Sequence, residues 1–383
     1  MSGILAILAG RAFAEPWSIE PRLGVSTEYD SNPGLRQFDP VSEDHVAALF
    51  DLPLRYDEDD VAFALRPKGR VGNSQGYSSL AANYFHVDGT AQVSGERGSA
   101  SIQAELGRDS SLYHAGGLVD GVGVRRDSAE TSADWTRSMT ERSQVQIDVS
   151  WSRIRYEQPP NATALVDYRY LSAGPTVAFQ LDERNTLKVL GNYGRYQSLD
   201  GITESTSENL QVAFVRRLDE IWSLSTSAGY SRSENSQKYF LGQFYLGKLT
   251  SNQNSSIYSA SLMRQGEQLN FSGGVFRALQ PTGLAYLSQQ DSINAAANYI
   301  LSERWDFTLN ASWERARNPV LGGGESSVRF LNAQIAANWH WTAQWYISTR
   351  IARFTQSYGQ PSISAGASSL SLEINRHFLR TDL

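Results

Sequence analysis

The sequence predicts an all-β chain that closes on itself as a transmembrane antiparallel β-barrel of about eighteen strands. Three observations predict this. A period-two alternation recurs along the chain, short turns alternate with long polar connections, and aromatic residues gather near the predicted strand ends.

The alternation is clearest in four runs. Trp17, Ile19, Pro21, Leu23, Val25, Thr27 and Tyr29 share one parity, against Ser18, Glu20, Arg22, Gly24, Ser26 and Glu28. Val145, Ile147, Val149 and Trp151 alternate with Gln144, Gln146, Asp148 and Ser150. Trp222, Leu224, Thr226, Ala228 and Tyr230 alternate with four serines and Gly229. Leu331, Ala333, Ile335, Ala337, Trp339 and Trp341 alternate with Asn332, Gln334, Ala336, Asn338 and His340. Successive side chains of a strand point to opposite faces, so each run has a greasy face and a polar one. In a membrane barrel the first meets lipid and the second meets an aqueous interior.

The connections fall into two classes. Short charged turns are expected at 57–60, 95–99, 138–143, 182–185, 218–221, 264–268, 302–304 and 342–344. Between them lie longer stretches rich in Gly, Ser and Asn, at 30–43, 72–83, 108–126, 157–167, 197–208, 233–255, 278–290, 316–327 and 355–368. Short periplasmic turns opposite long outer loops are the habit of outer-membrane barrels, and an even strand number puts both ends on the periplasmic side. A soluble sandwich also alternates, but its apolar parity fills a dry core and its connections do not sort into two classes. Trp17 and Tyr29, Trp222 and Tyr230, Trp305 and Trp313, and the group Trp339, Trp341 and Trp345 lie where membrane interfaces would cross the strands.

Composition agrees. Charged residues are only 19%, yet mean hydropathy is -0.39, so the polarity comes from uncharged side chains suited to a wet wall. A net charge of -6 gives no reason to expect nucleic acid. Cysteine is absent, which excludes disulfides and thiolate metal sites. Residues 1–14 are apolar and end Ala12-Phe13-Ala14 before Glu15-Pro16, the form of a secretory signal peptide. Residues 15–383 are then one barrel domain, placed in the outer membrane of a Gram-negative cell among its lipid and lipopolysaccharide. The chain closes with Leu370, Leu372, Ile374, Arg376 and Phe378 on one parity. This end resembles the aromatic-terminated strand that barrel-assembly machinery reads. Arg376 stands on the apolar parity, where a long side chain can snorkel to the headgroups.

With the apolar parity outward, the interior receives Arg55, Arg66, Lys68 and Arg70, then His86, Asp88, Glu105, Glu130, Asp134 and Asp148, and later Asn332, Gln334 and Asn338. Unpaired polar groups cannot pack dry, so this wall faces water. The basic strip beside the acidic strip either sets a transverse field across the pore or forms salt bridges that stiffen the wall. Tyr170, Tyr196, Phe276 and Tyr346 are inward aromatics, stacking platforms or space-fillers. The longest polar stretch carries Tyr239, Phe240, Phe244 and Tyr245 with Lys238 and Lys248, a candidate constriction loop; the Gly-rich stretch 116–123 is a second.

Sequence motifs for catalysis and cofactors are missing. There is no phosphate loop, dinucleotide fingerprint or H-E-x-x-H, and His45, His86, His114, His340 and His377 are scattered. No cofactor and no metal are expected. A barrel hydrolase of lipid would need a Ser–His pair on the lipid-facing wall, and His86 and His340 fall inward. A peptide hydrolase would need an acid–His cluster above the rim, for which only His114 with Asp109 and Asp120 offers itself. A surface barrel with a structural or adhesive role and a closed lumen is the other alternative to a channel. The sequence does not set the oligomeric state.

The run Gly24-Val25-Ser26-Thr27-Glu28-Tyr29-Asp30-Ser31-Asn32-Pro33 ends its strand in Tyr-Asp-x-Asn. It resembles the opening of the beta-barrel porin 2 family, large barrels often encoded beside exopolysaccharide-synthesis genes, with Ser31 in place of that family's usual second Asp. The resemblance implies passage of a hydrophilic solute such as a secreted exopolysaccharide, handed over by periplasmic export proteins. Taken as residues alone, Asp30 and Asn32 suit a turn that caps the first strand.

Overall fold

A computed structural model describes residues 17–33, 35, 39–73, 83–110, 124–157, 165–241, 244–283, 287–319, 325–358, 363–378 and 381–382. The expected signal peptide, the Gly-rich stretch 116–123 and His114 with Asp120 lie outside the described residues.

The strands are β1 (Trp17–Ile19), β2 (Arg22–Asp30), β3 (Glu43–Asp51), β4 (Leu54–Glu58), β5 (Val61–Asn73), β6 (Tyr84–Gly95) and β7 (Gly98–Ser110). Next come β8 (Arg125–Ser138), β9 (Ser143–Glu157), β10 (Tyr168–Gln180), β11 (Asn185–Ser198), β12 (Thr203–Arg217), β13 (Trp222–Leu241) and β14 (Phe244–Gln265). The rest are β15 (Leu269–Pro281), β16 (Leu287–Ser302), β17 (Trp305–Pro319), β18 (Glu325–His340), β19 (Trp345–Tyr358), β20 (Ile363–His377) and β21 (Thr381–Asp382).

These segments make one closed antiparallel barrel of 18 strands. Each of the 18 strands pairs with the next along the chain, and β2 pairs with β20 to shut the ring. Closure satisfies every ladder within the membrane, where an open edge would leave backbone groups without partners. Three barrel strands are interrupted near the periplasmic end: β1 continues into β2, β3 into β4, and β20 into β21. Proline explains two of the breaks. Pro21 and Pro53 have no N–H to give the ladder, yet pairing resumes in the same register, from Asp51↔Lys68 to Leu54↔Leu65.

The periplasmic turns lie where the sequence places them, and several share one device. A short polar side chain accepts backbone N–H groups two and three residues on, an alternative to ladder bonding that stops the strand. Thr140 accepts from Arg142 and Ser143, Asp182 from Arg184 and Asn185, Asp219 from Ile221 and Trp222, and Thr342 from Gln344 and Trp345. The Asn185 side-chain amide and these N–H groups hold the Asp182 carboxyl below the usual carboxylate range.

The outer loops differ from expectation in the second half of the chain. The stretch 233–255 is a hairpin, paired from Ser233↔Gln253 to Leu241↔Phe244. The stretch 197–208 narrows to a tight connection between Ser198 and Thr203. Above the membrane both faces of a strand are polar, so the greasy/polar period vanishes while the ladder continues.

The apolar parity is the outer surface. Val25 is 57% exposed, Leu106 58% and Leu210 62%, values that only lipid contact makes tolerable in a barrel this rich in apolar residues. Aromatic rings belt the periplasmic end: Trp305 stacks with Phe307 and Trp339, and Trp339 with Trp341, at 6.1–6.4 Å. Arg376 lies there too, its guanidinium 5.5 Å from the Trp345 ring and 4.7 Å from the Phe378 ring. The charge on the apolar parity is thus seated on aromatic faces at the interface.

Candidate functional site

Closure turns one parity of every strand inward, so the candidate site is the inner wall. The basic strip of β5 is there, each cation beside a carboxylate from another strand. Arg66 donates through Nε and Nη2 to Asp51, each at 2.7 Å. Lys68 Nζ lies 2.6 Å from Asp88, and Arg70 Nη1 2.8 Å from Glu28. On the neighbouring strands His86 lies 2.9 Å from Glu105 and 3.6 Å from Asp109, which receives Nε and Nη2 of Arg126 at 2.9 Å. The two strips interlock as ion pairs. Pairs open to water stabilise little, about 0–1 kcal/mol each; their consequence here is to pin long side chains along the wall.

The remainder of the acidic strip is not matched in this way. Glu105 stands opposite Glu130 in register, and Asp134 opposite Asp148. Asp134 accepts from Ser101 and Asp148 from Gln146, but no cation pairs with Glu130, Asp134 or Asp148 among the described residues. Like charges directly opposite repel, so this wall presents negative potential to the interior. Arg55 shares the inward parity near the periplasmic end, opposite Ala64. On β18, Asn332 and Gln334 face inward, and Asn338 donates to Asp306 at 2.6 Å.

Two cavities lie against this wall. One of about 500 Å³ is bounded by Glu28, Lys68, Arg70, Tyr84, His86, Asn332, Gln334 and Arg350. The other, about 470 Å³, is bounded by Asp88, Glu105, Arg126, Glu130, Ser132, Ser150, Ser152, Tyr168 and Tyr170, and by Gln280 and Pro281 from the end of β15.

Gln280 and Pro281 begin a strap that sequence reasoning missed. At this junction Gly283, just past β15, and Leu287, the first residue of β16 and still paired with Pro281, reach the inner wall of β9–β11, on the far side of β12–β14. The Gly283 carbonyl accepts the Val166 N–H at 2.8 Å. Leu287 is fully buried with Ile154, Tyr168 and Tyr196, and Tyr156 and Tyr170 pack alongside. A Cβ at Gly283 would lie 2.9 Å from Tyr156 Oη and 3.1 Å from Leu165 Cδ2, so close approach requires glycine there. The hydroxyls of Thr282 and Ser288, 3.2 Å apart, tie the base. A signal for this docking site exists in the sequence. Ile154, Tyr156, Tyr168, Tyr170 and Tyr196 break the polar inward parity on three consecutive strands.

The other candidate constriction lies elsewhere. Tyr239, Phe240, Phe244 and Tyr245 sit at the end of the β13–β14 hairpin, exposed, with Phe240 and Tyr245 rings 5.7 Å apart. Of the inward aromatics, Tyr196 fills space beneath the strap, and Tyr346 lies 5.0 Å from the His377 ring. Asp30 and Asn32 form the expected turn: Asp30 Oδ1 accepts the Asn32 N–H at 2.8 Å, and Asn32 Nδ2 donates to the Gly366 carbonyl. His86 and His340 face the interior beside carboxylates, His340 at 2.8 Å from Asp306. Among the described residues no group of three or more His, Cys, Asp or Glu side chains is placed to hold a metal.

No protein-family model matches the chain, and no curated protein matches it. Solved structures resemble it in overall shape. OpdQ of Pseudomonas aeruginosa is 11% identical with a TM-score of 0.49, over 95% of this chain and 99% of that one. The siderophore receptor PiuA of Acinetobacter baumannii is 8% identical with a TM-score of 0.48, over 94% and 82%. The FrpB iron transporter of Neisseria meningitidis is 9% identical with a TM-score of 0.45, over 97% and 83%. With a lipid-facing exterior and a polar interior, the chain is a closed 18-stranded outer-membrane β-barrel.

Proposed function

We propose that the barrel is a passive channel for hydrophilic solutes, narrowed by the β15–β16 strap, with a secreted exopolysaccharide as its cargo. One observation carries this reading: the inner wall is polar and bounds two cavities of about 500 and 470 Å³. Charged and amide side chains in that number are stable only beside water or a hydrogen-bonding solute. Arg55, Arg66, Lys68, Arg70, His86, Asp88, Glu105, Glu130, Asp134, Asp148, Asn332, Gln334 and Asn338 then line the path. Carboxylates, amides and serine hydroxyls there exchange hydrogen bonds with sugar hydroxyls, while the half-buried Tyr170 offers an apolar ring face to a pyranose. The strand-ending Tyr29-Asp30-x-Asn32 turn supports the exopolysaccharide assignment through the family resemblance. Residues 1–14 serve as the export signal, and periplasmic export proteins deliver the polymer. The barrel makes and breaks no bonds.

Single-channel recording in planar bilayers tests the channel: a stable conductance is expected, and a silent inserted barrel overturns it in favour of a closed surface barrel. A deletion strain tests the cargo. Polymer trapped in the periplasm is expected, whereas normal secretion removes the exopolysaccharide and leaves the general channel standing.

A further inference from the structure

The β13–β14 hairpin carries an exposed tip that is both apolar and cationic. On its outward face Tyr230 is the last apolar residue of β13 before the tip. The next three outward rungs are polar, Arg232↔Asn254, Glu234↔Asn252 and Ser236↔Thr250, and the rung after them is Lys238↔Lys248. Lys238 lies roughly 25 Å beyond Tyr230 along the strand, out of reach of acyl chains. The register then shifts between Tyr239 and Phe240, which leaves Leu246 as an extra residue. A bulge re-aims the side chains that follow it. Here it brings Tyr245 onto the face of the lysines, opposite Phe240, with the two rings 5.7 Å apart and inclined at 62°. Tyr245 and Leu246 are exposed beside Phe244, an apolar patch in water that lipid contact does not explain.

The lysine rung is unfavourable to the chain by itself, because like charges directly opposite each other repel. The chain has only four lysines, Lys68, Lys188, Lys238 and Lys248, and two of them share this rung. Neither forms an ion pair among the described residues; Lys238 Nζ donates to the Gly201 carbonyl at 3.0 Å, and the Lys248 side chain makes no hydrogen bond. The nearby acids are engaged or remote. Glu204 is paired with Arg195, Asp200 accepts from the Ser198 hydroxyl and the Ile202 N–H, and Glu234 stands two outward rungs below Lys238. Beside the lysines β14 has a free edge. β15 pairs with β14 only from Tyr258↔Arg277 toward the periplasm, so the backbone groups of Phe244 to Ile257 that point away from β13 have no ladder partner among the described residues. Such an edge offers a row of N–H and C=O groups to whatever lies along it.

We propose that this tip binds an acidic polysaccharide at the cell surface. A carboxylate of the polymer accepts from both ammonium groups and removes their repulsion. The apolar C–H face of an adjoining sugar ring packs into the corner between Phe240 and Tyr245, about 7 Å along the same face, and sugar hydroxyls bond to the free edge of β14. A lipid does not fit, because the tip stands clear of the bilayer. A small anion would leave the aromatic corner unused. The inference concerns the outer surface and holds whether or not the same polymer is the cargo of the lumen.

The test uses the whole barrel in nanodiscs of zwitterionic phospholipid. Polygalacturonate is the acidic probe, and its methyl ester is the same backbone without charge; binding is read by biolayer interferometry. The acid should bind about tenfold tighter than the ester, the worth of one charge-assisted hydrogen bond. That advantage should vanish at about 1 M salt, where the screening length is ~3 Å. K238Q/K248Q should lower binding of the acid to the level of the ester, and K238R/K248R should keep it. Lys248→Gln alone breaks no bond within the chain and should give part of the loss, which separates the missing charge from any loosening at Gly201. F240S/Y245S should weaken acid and ester alike, because the rings meet sugar and not charge. Equal binding of acid and ester by the unaltered barrel overturns the proposal without any variant. Full binding of the acid by K238Q/K248Q also overturns it, because the polymer would then sit elsewhere, as in the lumen. Conductance plays no part in the readout, so failure of the channel and failure of the docking site are distinguishable.

Discussion

The inner walls of β5–β8 and of β9–β11 obey the same parity and differ in chemistry. On β5–β8 the inward residues stay charged almost to the outer rim: Arg66, Lys68 and Arg70, then His86 and Asp88, then Glu105 and Asp109, with ion pairs tying one strand to the next. On β9 the inward residues begin alike, with Gln146, Asp148, Ser150 and Ser152, and then change to Ile154 and Tyr156. The change comes where Leu287 lands. Parity decides which way a side chain faces, and what lies in front of it decides whether it is polar. The charged wall is held by its own pairs, whereas the tyrosine wall is held by a segment from the other side of the barrel.

The strongest discrimination between the two walls comes from cutting the strap. Replacing 282–286 by a minimal turn between β15 and β16 should raise single-channel conductance severalfold, since it takes Gly283 off the inner wall and leaves the β15–β16 ladder, ending at Pro281↔Leu287, intact. Unchanged conductance would mean that the passage is limited elsewhere. Leu287→Ala should act in the same direction with a smaller effect. Removing a buried leucine side chain costs about 2–5 kcal/mol, here charged to the strap's attachment and not to the barrel, so frequent transitions between a low and a high conductance level are expected. Gly283→Val should act the same way, because a Cβ there would lie 2.9 Å from Tyr156 Oη and 3.1 Å from Leu165 Cδ2, and the larger side chain must push these neighbours aside to dock.

Weaker still should be the response to changes at the β13–β14 hairpin. Its tip aromatics are exposed, Phe244 at 77%, and the hairpin is ladder-bonded to its end. F244S/Y245S should leave conductance within the scatter of the unaltered channel. A rise as large as that from the strap deletion would make the hairpin the constriction and reduce the strap to a brace.

These outcomes bear on what could be read before the structure. The barrel was legible because two independent signals agree on it: the greasy parity, and turn residues such as Thr140, Asp182 and Asp219 that bond their own backbone. The hairpin was not, because Ser231, Ser233 and Asn235 inward and Arg232, Glu234 and Ser236 outward are all polar, so no period marks the strand. For the site, parity alone gave the inward direction of Lys68, His86, Glu105 and Gln334. Which cation meets which carboxylate depends on register between strands, and that is not local information. The strap was hidden for a related reason. The apolar run Leu284-Ala285-Tyr286-Leu287 does not name its own docking site, because the partners of Leu287, Ile154, Tyr168 and Tyr196, lie about 90 to 135 positions away along the chain.

The smallest predicted effect concerns the charged wall itself. Glu130, Asp134 and Asp148 face the interior without cations, while Lys68 and Arg70 are neutralised by Asp88 and Glu28. The uncompensated charge in this part of the lumen is therefore negative, and the channel should favour cations weakly. E130Q/D148N should move the zero-current potential under a salt gradient toward the anion side, by about a twofold change in permeability ratio at low ionic strength, with less at 1 M salt where screening shortens to ~3 Å. Stability should hardly change, because each substitution removes a repulsion from a cross-strand neighbour and breaks no ion pair. Asp88→Asn should shift the potential the same way by a different route: it removes the carboxylate that neutralises Lys68 and leaves that positive charge free on the same wall. If E130Q/D148N moved the potential and Asp88→Asn did not, Lys68 would have found another carboxylate, and the wall would be a network that re-pairs instead of a row of fixed couples.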